Sequence, residues 1–375
     1  MSDLISYLTT VRFGVGAIGE LKNVLSAHAI KRPLVVTDAG LYRSGLVEGW
    51  LDAGGMAAAP VFAETPENPT EEAVEAAHTA LHVHDADGLI AIGGGSPIDL
   101  AKGVALMATH DGPLENYAAI YGGVGRIGSV LPLIAIPTTA GTGSEVGRAA
   151  LITLRNERKL GFVSPNLIPT VAICDPELTL PLPAHLTAAT GLDAISHCVE
   201  TFLSPRYNPP ADAIALDGLA RAYSTIGIAV ADGHNLNARA DMMMAALQGA
   251  LAFQKGLGAI HSASHALGGL KALRLHHGTL NAVLLPHVLR LNEPAVPEKF
   301  VRLRHALGLE PHDDVAAAFS ALNASLGLPE SLGAMGVDAA VLDKVAAWSQ
   351  ADHSTATNPA QMTVERFRTL LGEAL

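Results

Sequence analysis

Short apolar runs alternate with helical patterns in the first half of the chain. Three runs are rich in branched residues and end in turn residues: 33–37 (PLVVT), 88–92 (GLIAI) and 131–136 (LPLIAI). Such runs are typical of parallel strands that are buried on both faces. Between them, residues 71–82 and 97–109 place apolar side chains at helical spacing. The alternation predicts a doubly wound α/β domain with a mostly parallel sheet.

The pattern changes near Pro183, where long helices rich in alanine and leucine replace the strands. Apolar residues recur at helical spacing over 186–203, 211–231, 238–253 and 261–273. The proline-rich segment DPELTLPLP at 175–183 marks the boundary. We therefore predict a nucleotide-binding α/β domain at 1–182 and an all-α domain at 183–375.

Composition narrows the class of protein. The chain has 375 residues, a formal net charge of −12 and only two cysteines. The length suggests two domains, and the negative charge argues against a nucleic-acid partner, because phosphate binding needs clustered lysine and arginine. So few cysteines fit a reducing cytoplasm. No apolar run approaches the ~18 residues of a membrane span, and the first twenty residues lack a signal-peptide pattern, so we expect a cytoplasmic protein without a membrane partner.

A glycine-rich turn follows the second apolar run. Gly93, Gly94 and Gly95 are followed by Ser96, which suits a helix N-cap, and by Pro97, which suits the first helical position. Residues without a Cβ let a pyrophosphate approach backbone N–H groups at a helix N-terminus. The turn therefore predicts a phosphate site, with an ordinary strand–turn–helix connection as the alternative.

A second glycine pattern, GxGxxG at 14–19, precedes Asp38 at the spacing of a dinucleotide fingerprint. The segment before it, 6–13, alternates polar and apolar residues, which predicts a sheet edge or hairpin and not a central strand. We therefore place the pyrophosphate at 93–96 and interpret the earlier glycines as turn residues. The carboxylate of Asp38 is predicted to bind the adenosine ribose and to repel a 2′-phosphate, which favours NAD over NADP. The alternative for Asp38 is a turn residue at a strand end.

A polar loop and a set of metal-type side chains complete the candidates. The loop PTTAGTGSE at 137–145 follows a buried strand, at the edge where open α/β sheets bind ligands.

Asp193 and His197 share a helical face at a spacing of four, and His261 and His265 repeat that spacing, with two histidines at 276–277. A carboxylate and several imidazoles from separate helices can enclose one divalent cation, although a single histidine on an apolar helix is more often a core residue.

Five stretches together resemble the iron-containing (group III) alcohol dehydrogenases. They are GGGSPIDLAK (93–102), PTTAGTGSE (137–145), ATGLDAISHCVE (189–200), HSASHALGG (261–269) and HHGTLNAVLLPHV (276–288). The resemblance covers nearly the whole chain and includes a TxNP-type ending at 357–359. It implies a dehydroquinate-synthase-like fold and an NAD-dependent alcohol dehydrogenase that uses Fe²⁺, with Zn²⁺ as the alternative metal.

The resemblance also implies roles for individual residues. By motif position, the metal ligands would be Asp193, His197, His261 and His277. His265 would lie beside the nicotinamide as a catalytic residue. The cofactor would be bound by Gly94, Gly95, Ser96, Thr138, Thr139, Thr142 and Lys159, in addition to Asp38.

The sequence is compatible with more than one class of substrate. A metal-bound alcohol oxygen and hydride transfer to NAD suit simple alcohols, but Arg148, Arg274 or His276 could bind a carboxylate, as in 4-hydroxybutyrate. A maleylacetate-reductase-like enzyme and a dehydroquinate-synthase-type lyase are alternatives, and the lyase would need Arg148, Lys271 and Arg274 to meet a phosphorylated substrate. A non-catalytic regulator that binds a metal or a nucleotide is an alternative of a different functional class. We expect a small-molecule substrate and a homodimer.

Overall fold

The computed structural model describes residues 10–270 and 272–375. Within them the chain forms two compact units. The α/β unit comprises residues 10–139 and 144–180, and the helical unit comprises residues 140–143 together with the described residues from 181 onwards. The domain boundary predicted between 182 and 183 stays a prediction.

The α/β unit is built on a parallel sheet. The described residues contain eight strands: β1 (Thr10–Phe13), β2 (Pro33–Asp38), β3 (Val61–Thr65), β4 (Gly88–Gly93), β5 (Leu133–Pro137), β6 (Ala149–Thr153), β7 (Lys159–Val163) and β8 (Val171–Cys174). Six form one sheet in the order β1-β8-β5-β4-β2-β3, and every pairing in it is parallel. The strands β6 and β7 form a separate antiparallel pair, which the sequence analysis missed.

Both faces of this sheet are covered. The helices of the unit are α1 (Leu21–Ala27), α2 (Ala39–Arg43), α3 (Leu46–Ala53), α4 (Glu71–Val83) and α5 (Gly95–Met107). Consecutive residues of one strand pack into different hydrophobic clusters: Leu34 and Val36 belong to one, and Val35 belongs to the other. Two buried faces explain why these strands are apolar throughout, and the predicted doubly wound fold is confirmed.

The strand β1 lies at the edge of the sheet, as its mixed polarity predicts. It pairs with β8, and three of its four residues are exposed. Residues 6–9 of the predicted segment lie outside the described residues.

The helical unit contains nine further helices in its described residues. They are α6 (Ala184–Leu203), α7 (Pro209–Ala231), α8 (Leu236–Ala252), α9 (Ala259–Gly268), α10 (His277–Asn292), α11 (Pro297–Leu307), α12 (Val315–Ser325), α13 (Leu342–Gln350) and α14 (Val364–Glu373). The helices α6, α7 and α8 pack on one another, and α10 packs against α6, α9 and α12. The predicted helix at 261–273 ends earlier, at Gly268, where a turn begins.

One helix among the described residues, α7, is long and apolar enough to cross a membrane by length and composition alone. Core helices pass the same test, and the buried residues of α7 recur along one face, from Ala211 through Ala215 and Leu219 to Ala222. The helix packs against α6 and α8, and 39% of its apolar window is buried within the protein.

Candidate active site

The buried helix α6 carries the first two candidate metal ligands. Asp193 and His197 lie one turn apart, and both are nearly inaccessible, with exposed fractions of 2% and 4%. A spacing of four places them on the same face of the helix, as predicted. A buried carboxylate is costly unless it is paired, so the groups that face Asp193 decide what this face of α6 does.

Two other helices bring imidazoles to the same carboxylate oxygen. The Nε2 atom of His197 lies 3.8 Å from Asp193 Oδ1, and those of His261 on α9 and His277 on α10 each lie 3.6 Å from it. The ligand atoms of Asp193, His197 and His261 all lie within 4.8 Å of one another. Four side chains that are far apart in sequence therefore meet at one point.

The donor set fits a divalent metal. Ligands at about 2.1 Å from a tetrahedral ion are about 3.4 Å from one another, which is close to the separations found around Asp193 Oδ1. One carboxylate and three imidazoles suit Fe²⁺ and equally Zn²⁺. Asp193, His197 and His261 thus offer three ligand atoms at a spacing that suits a single ion, and His277 brings a fourth candidate imidazole to Asp193 Oδ1.

Two further side chains support this cluster, and the sequence analysis did not single them out. Glu200, on α6, accepts a hydrogen bond from His261 Nδ1 at 2.7 Å and one from the backbone N–H of Ile260 at 2.6 Å. Asn281, one turn after His277, donates its amide to Asp193 Oδ1 at 2.7 Å. Their spacing along α6 and α10 was a usable signal, because each lies three or four residues after a candidate ligand.

The charges of the cluster favour a bound cation. Burial would raise the pKa of Asp193, but the facing imidazoles, in their protonated forms, lower it by more, so it lies below its ordinary value. Burial lowers the pKa of His197 to about 4, so its ring is neutral at pH 7. Burial also disfavours a charged His261, but Asp193 and Glu200 outweigh it and raise its pKa to about 9. A metal ion would displace that proton, since only a neutral imidazole can bind it.

His265 lies next to this cluster but has a different partner. Its Nδ1 is 3.1 Å from Asp352 Oδ2, and its ring stacks on His277 at 5.5 Å and on His353 at 5.8 Å. Burial lowers the pKa of His265. The second cluster of ligand-type atoms, formed by His265, Asp352 and His353, is thus held together by hydrogen bonding and ring stacking.

The turn between β4 and α5 has the backbone shape expected of a phosphate site. Gly93 has a φ of +148°, and a Cβ there would clash with Pro97, so only glycine fits without strain. Gly94 is the N-cap of α5, and a Cβ on it would contact Thr139. Backbone N–H groups at the start of α5 remain available to an anion, which is the arrangement that pyrophosphate sites use.

The predicted N-cap at Ser96 is wrong. The helix begins one residue before it, at Gly95, because the glycines allow the chain to turn earlier. Ser96 instead donates its hydroxyl to the carbonyl of Glu67. Its predicted contact with the cofactor stays a prediction.

Asp38 ends β2 and is also the N-cap of α2. Its Oδ1 accepts a hydrogen bond from the backbone N–H of Leu41 at 2.9 Å. Val36 of β2 is paired with Ala91 of β4. Asp38 and Gly93 each lie two residues after these partners, so they stand side by side at the ends of the two strands. The carboxylate therefore has a structural role and stands one strand away from the glycine turn, at the ligand-binding edge of the sheet.

The early glycines serve a turn, as predicted. Gly14 donates its N–H to the carbonyl of Cys174, and Gly16 has a φ of +78°. The backbone N–H of Ile18, in the short 3₁₀ helix that follows, is bound by Asp175 Oδ2 at 3.1 Å. This backbone N–H is therefore already bound by a side chain of the protein.

The polar loop at 137–145 contains residues of both units. Thr138 and Thr139 belong to the α/β unit, and Thr142 belongs to the helical unit. The loop glycines have a packing role: a Cβ at Gly141 would clash with Thr190, and one at Gly143 would overlap Ala250. Close packing of backbone against helices therefore explains part of the motif that we interpreted only as a ligand loop.

A buried lysine, which the sequence analysis did not single out, fixes the end of this loop. Lys102 on α5 donates to Ser144 Oγ at 2.8 Å and to the carbonyls of Gly147 and Ala149 at 2.9 and 2.7 Å. Ser144 in turn donates to Asp99 at 2.5 Å. Burial lowers the pKa of Lys102 to about 8. The helix that begins at the glycine turn is thereby tied to the chain after the loop.

The remaining candidates differ in how far the structure defines them. Lys159, at the start of β7, donates to Asn68 Oδ1 at 2.8 Å. His276 is the N-cap of α10, where its Nδ1 accepts from Thr279. Arg274 is exposed and has a φ of +46°. Lys271 lies outside the described residues, and Arg148 precedes β6.

Comparison with known proteins gives consistent matches along the chain. The family described as "Iron-containing alcohol dehydrogenase" matches residues 9–176, and "Fe-containing alcohol dehydrogenase family, C-terminal" matches residues 187–375. A 4-hydroxybutyrate dehydrogenase of Cupriavidus necator is 50% identical over 99% of each chain.

Solved structures are similar to this chain over its whole length. The crystal structure of a 1,3-propanediol oxidoreductase superposes with a TM-score of 0.92 at 34% identity and covers 100% of both chains. A sulfoacetaldehyde reductase of Bifidobacterium kashiwanohense, solved in complex with NAD⁺, has a TM-score of 0.87 at 29% identity and covers 100% of this chain and 99% of its own.

Proposed function

Because the chain belongs to the iron-containing alcohol dehydrogenase family, as its motifs predict, we propose that it oxidises 4-hydroxybutyrate at its alcohol end. Family membership makes it an NAD-dependent oxidoreductase that acts on CH–OH groups and uses Fe²⁺. The proposal adds the substrate and the residues that act on it. The products would be the corresponding aldehyde acid, NADH and a proton.

One observation carries the chemical part of the proposal. Asp193 Oδ1 lies 3.6–3.8 Å from the Nε2 atoms of His197, His261 and His277. We assign these four side chains as the ligands of one Fe²⁺. When bound, the ion supplies a Lewis acid that lowers the pKa of the alcohol hydroxyl.

The chain's own residues then have distinct tasks. Glu200 holds His261 so that Nε2 is presented, and Asn281 holds the carboxylate of Asp193. His265 receives the hydroxyl proton, since it lies beside the cluster and is not part of it. The turn at Gly94 and Gly95 and the neighbouring threonines would bind NAD, which would supply the hydride acceptor for the carbinol carbon.

The substrate is proposed from similarity and from one exposed cation. The 50% identical relative is named for 4-hydroxybutyrate. Arg274 lies three residues before His277, in a left-handed conformation that arginine rarely adopts. Strained residues cluster at functional sites, so we assign Arg274 to the substrate carboxylate.

A substrate panel tests this assignment. The protein should oxidise 4-hydroxybutyrate with a kcat/KM well above that for 1-butanol, which has the same chain length but no carboxylate. Arg274→Gln should raise KM for 4-hydroxybutyrate by roughly 10-fold, the loss of one charged hydrogen bond, and leave 1-butanol unchanged. Arg206→Gln, at another exposed arginine of the helical unit, is the control. Equal kcat/KM for the two substrates would remove 4-hydroxybutyrate as the substrate.

We also propose that the protein is a cytoplasmic homodimer. Both cysteines are buried and free, which suits a reducing compartment. In the described residues, the edge strand β1 is paired along one side, and Phe13 and Val15 beside it are exposed, so a second copy could pair there. Light scattering should give twice the chain mass of 38.7 kDa.

A further inference from the structure

A short C-terminal segment, 352–358, runs along α9 in the opposite direction. Its contacts recur every three residues on both partners. Asp352 contacts His265, Thr355 Oγ1 lies 2.8 Å from Ser262 Oγ, and Asn358 Oδ1 accepts from the backbone N–H of Ala259 at 3.1 Å. Three polar contacts therefore join this segment, which we call the C-terminal clamp, to the helix that carries His261 and His265.

The first contact of the clamp determines which nitrogen of His265 carries a proton. Both oxygens of Asp352 act as acceptors: Oδ1 receives the backbone N–H of Ser354 at 2.8 Å, and Oδ2 lies 3.1 Å from His265 Nδ1. A carboxylate has no proton to donate, so His265 must be the donor at Nδ1. The other nitrogen, Nε2, is then left with its lone pair.

Ring stacking does not determine which nitrogen of His265 carries the proton. His265 lies between His277 and His353, with interplanar angles of 10° and 16°. Stacking fixes the plane of the ring, but a ring that is turned over within that plane would stack equally well. Among the contacts of His265 in the described part of the chain, the hydrogen bond to the Asp352 carboxylate is the one that distinguishes the two edges of the ring.

We propose that Asp352 is a positioning residue that holds His265 in the Nδ1–H form, so that Nε2 can accept a proton from the alcohol. The expected effect of Asp352 on turnover rests on the proposed function, in which His265 accepts the proton of the alcohol. The orientation of His265 is independent of which alcohol is the substrate.

The variant Asp352→Asn tests this directly. Its single amide oxygen must accept the N–H of Ser354, which is a backbone donor and cannot change. The amide NH₂ then faces His265 Nδ1 and forces the proton onto Nε2. Thr355→Val is the matched control, because it removes the middle contact of the clamp without touching His265.

Two measurements decide the outcome, each on protein with a full complement of metal. Long-range ¹H–¹⁵N NMR of the Zn²⁺ form, with the signal assigned by His265→Gln, should report Nδ1–H in the wild type and in Thr355→Val. Asp352→Asn should show Nε2–H. With 4-hydroxybutyrate and NAD, kcat of Asp352→Asn should fall by about 10²-fold, within the range of a positioned acid or base, while KM for NAD stays unchanged.

The proposal is overturned if Asp352→Asn keeps the Nδ1–H form or keeps kcat within about twofold of the wild type. It is also overturned if Thr355→Val loses as much activity, since the clamp would then act only by holding the fold. If the wild type does not oxidise 4-hydroxybutyrate, the proposed substrate fails, and the NMR result still decides the role of Asp352.

Discussion

Glu200 Oε2 accepts a 2.7 Å hydrogen bond from His261 Nδ1, while Glu200 Oε1 accepts the backbone N–H of Ile260 at 2.6 Å. One carboxylate thus holds both the imidazole and the start of the helix that carries it. Nε2 faces Asp193 Oδ1, and with Nδ1 occupied as a donor it is the nitrogen that a metal ion would bind once the ion has displaced its proton. An outer carboxylate of this kind is a common support for histidine ligands of metals.

Glu200→Gln should therefore weaken metal binding. The amide can accept only one of the two hydrogen bonds, so His261 loses its orientation or its tautomer. We expect the metal dissociation constant to rise about 10- to 100-fold, measured by competition with a chelator. Glu298→Gln, at an exposed glutamate of the same unit, should leave it unchanged. Unaltered affinity in Glu200→Gln would mean that His261 does not depend on this contact.

Cofactor preference and helix capping can be separated at Asp38. Asp38→Asn removes the charge that repels a 2′-phosphate but keeps an amide oxygen for the N–H of Leu41. We expect discrimination against NADP, measured as the ratio of kcat/KM values, to fall by roughly 10-fold or more without loss of stability. Asp38→Ala should relax discrimination similarly and also lower the free energy of unfolding by about 1 kcal/mol. Intact discrimination in both variants would show that the carboxylate does not face the ribose.

Gly143 is predicted to be irreplaceable for packing reasons. It has a φ of +62°, and a Cβ there would overlap Ala250 on α8. Gly143→Ala should lower the free energy of unfolding by at least about 1–3 kcal/mol in a denaturant titration, through overpacking and backbone strain. Gly125→Ala, where a Cβ would meet nothing within 4 Å, should cost much less. Equal stability of the two variants would exclude this packing role.

The sequence predicted the parts of the molecule that local patterns determine. Strands such as β4 are apolar throughout because both their faces are buried, and α6 shows its candidate ligands at helical spacing. The Ser96 cap was mispredicted because glycine geometry, which the residue type permits but does not specify, moved the helix start to Gly95. Nothing local to Asp352 reveals its partner, since His265 lies 87 residues earlier.

The short hairpin β6–β7 was missed for a related reason. Its strands, AALIT in β6 and KLGFV in β7, mix small and polar residues with apolar ones, so neither shows the run of branched apolar residues that marks the central strands. Glu200 was overlooked although the pattern contained it: a residue three positions after His197 lies on the same face of α6. The supporting residues of a site are thus harder to predict than its ligands, because their partners come from other helices.

The central claim is that Asp193, His197, His261 and His277 bind one catalytic cation. Asp193→Asn removes the charge on which the three imidazoles converge, while His78→Ala removes a histidine from the surface helix α4. Both variants and the wild type can be compared by elemental analysis and by NADH formation from 4-hydroxybutyrate, before and after chelation and reloading with Fe²⁺. We predict one metal ion per chain and full, reloadable activity in the wild type and in His78→Ala. Asp193→Asn should retain little metal and no turnover, and an Asp193→Asn enzyme that turns over normally without metal would contradict the account.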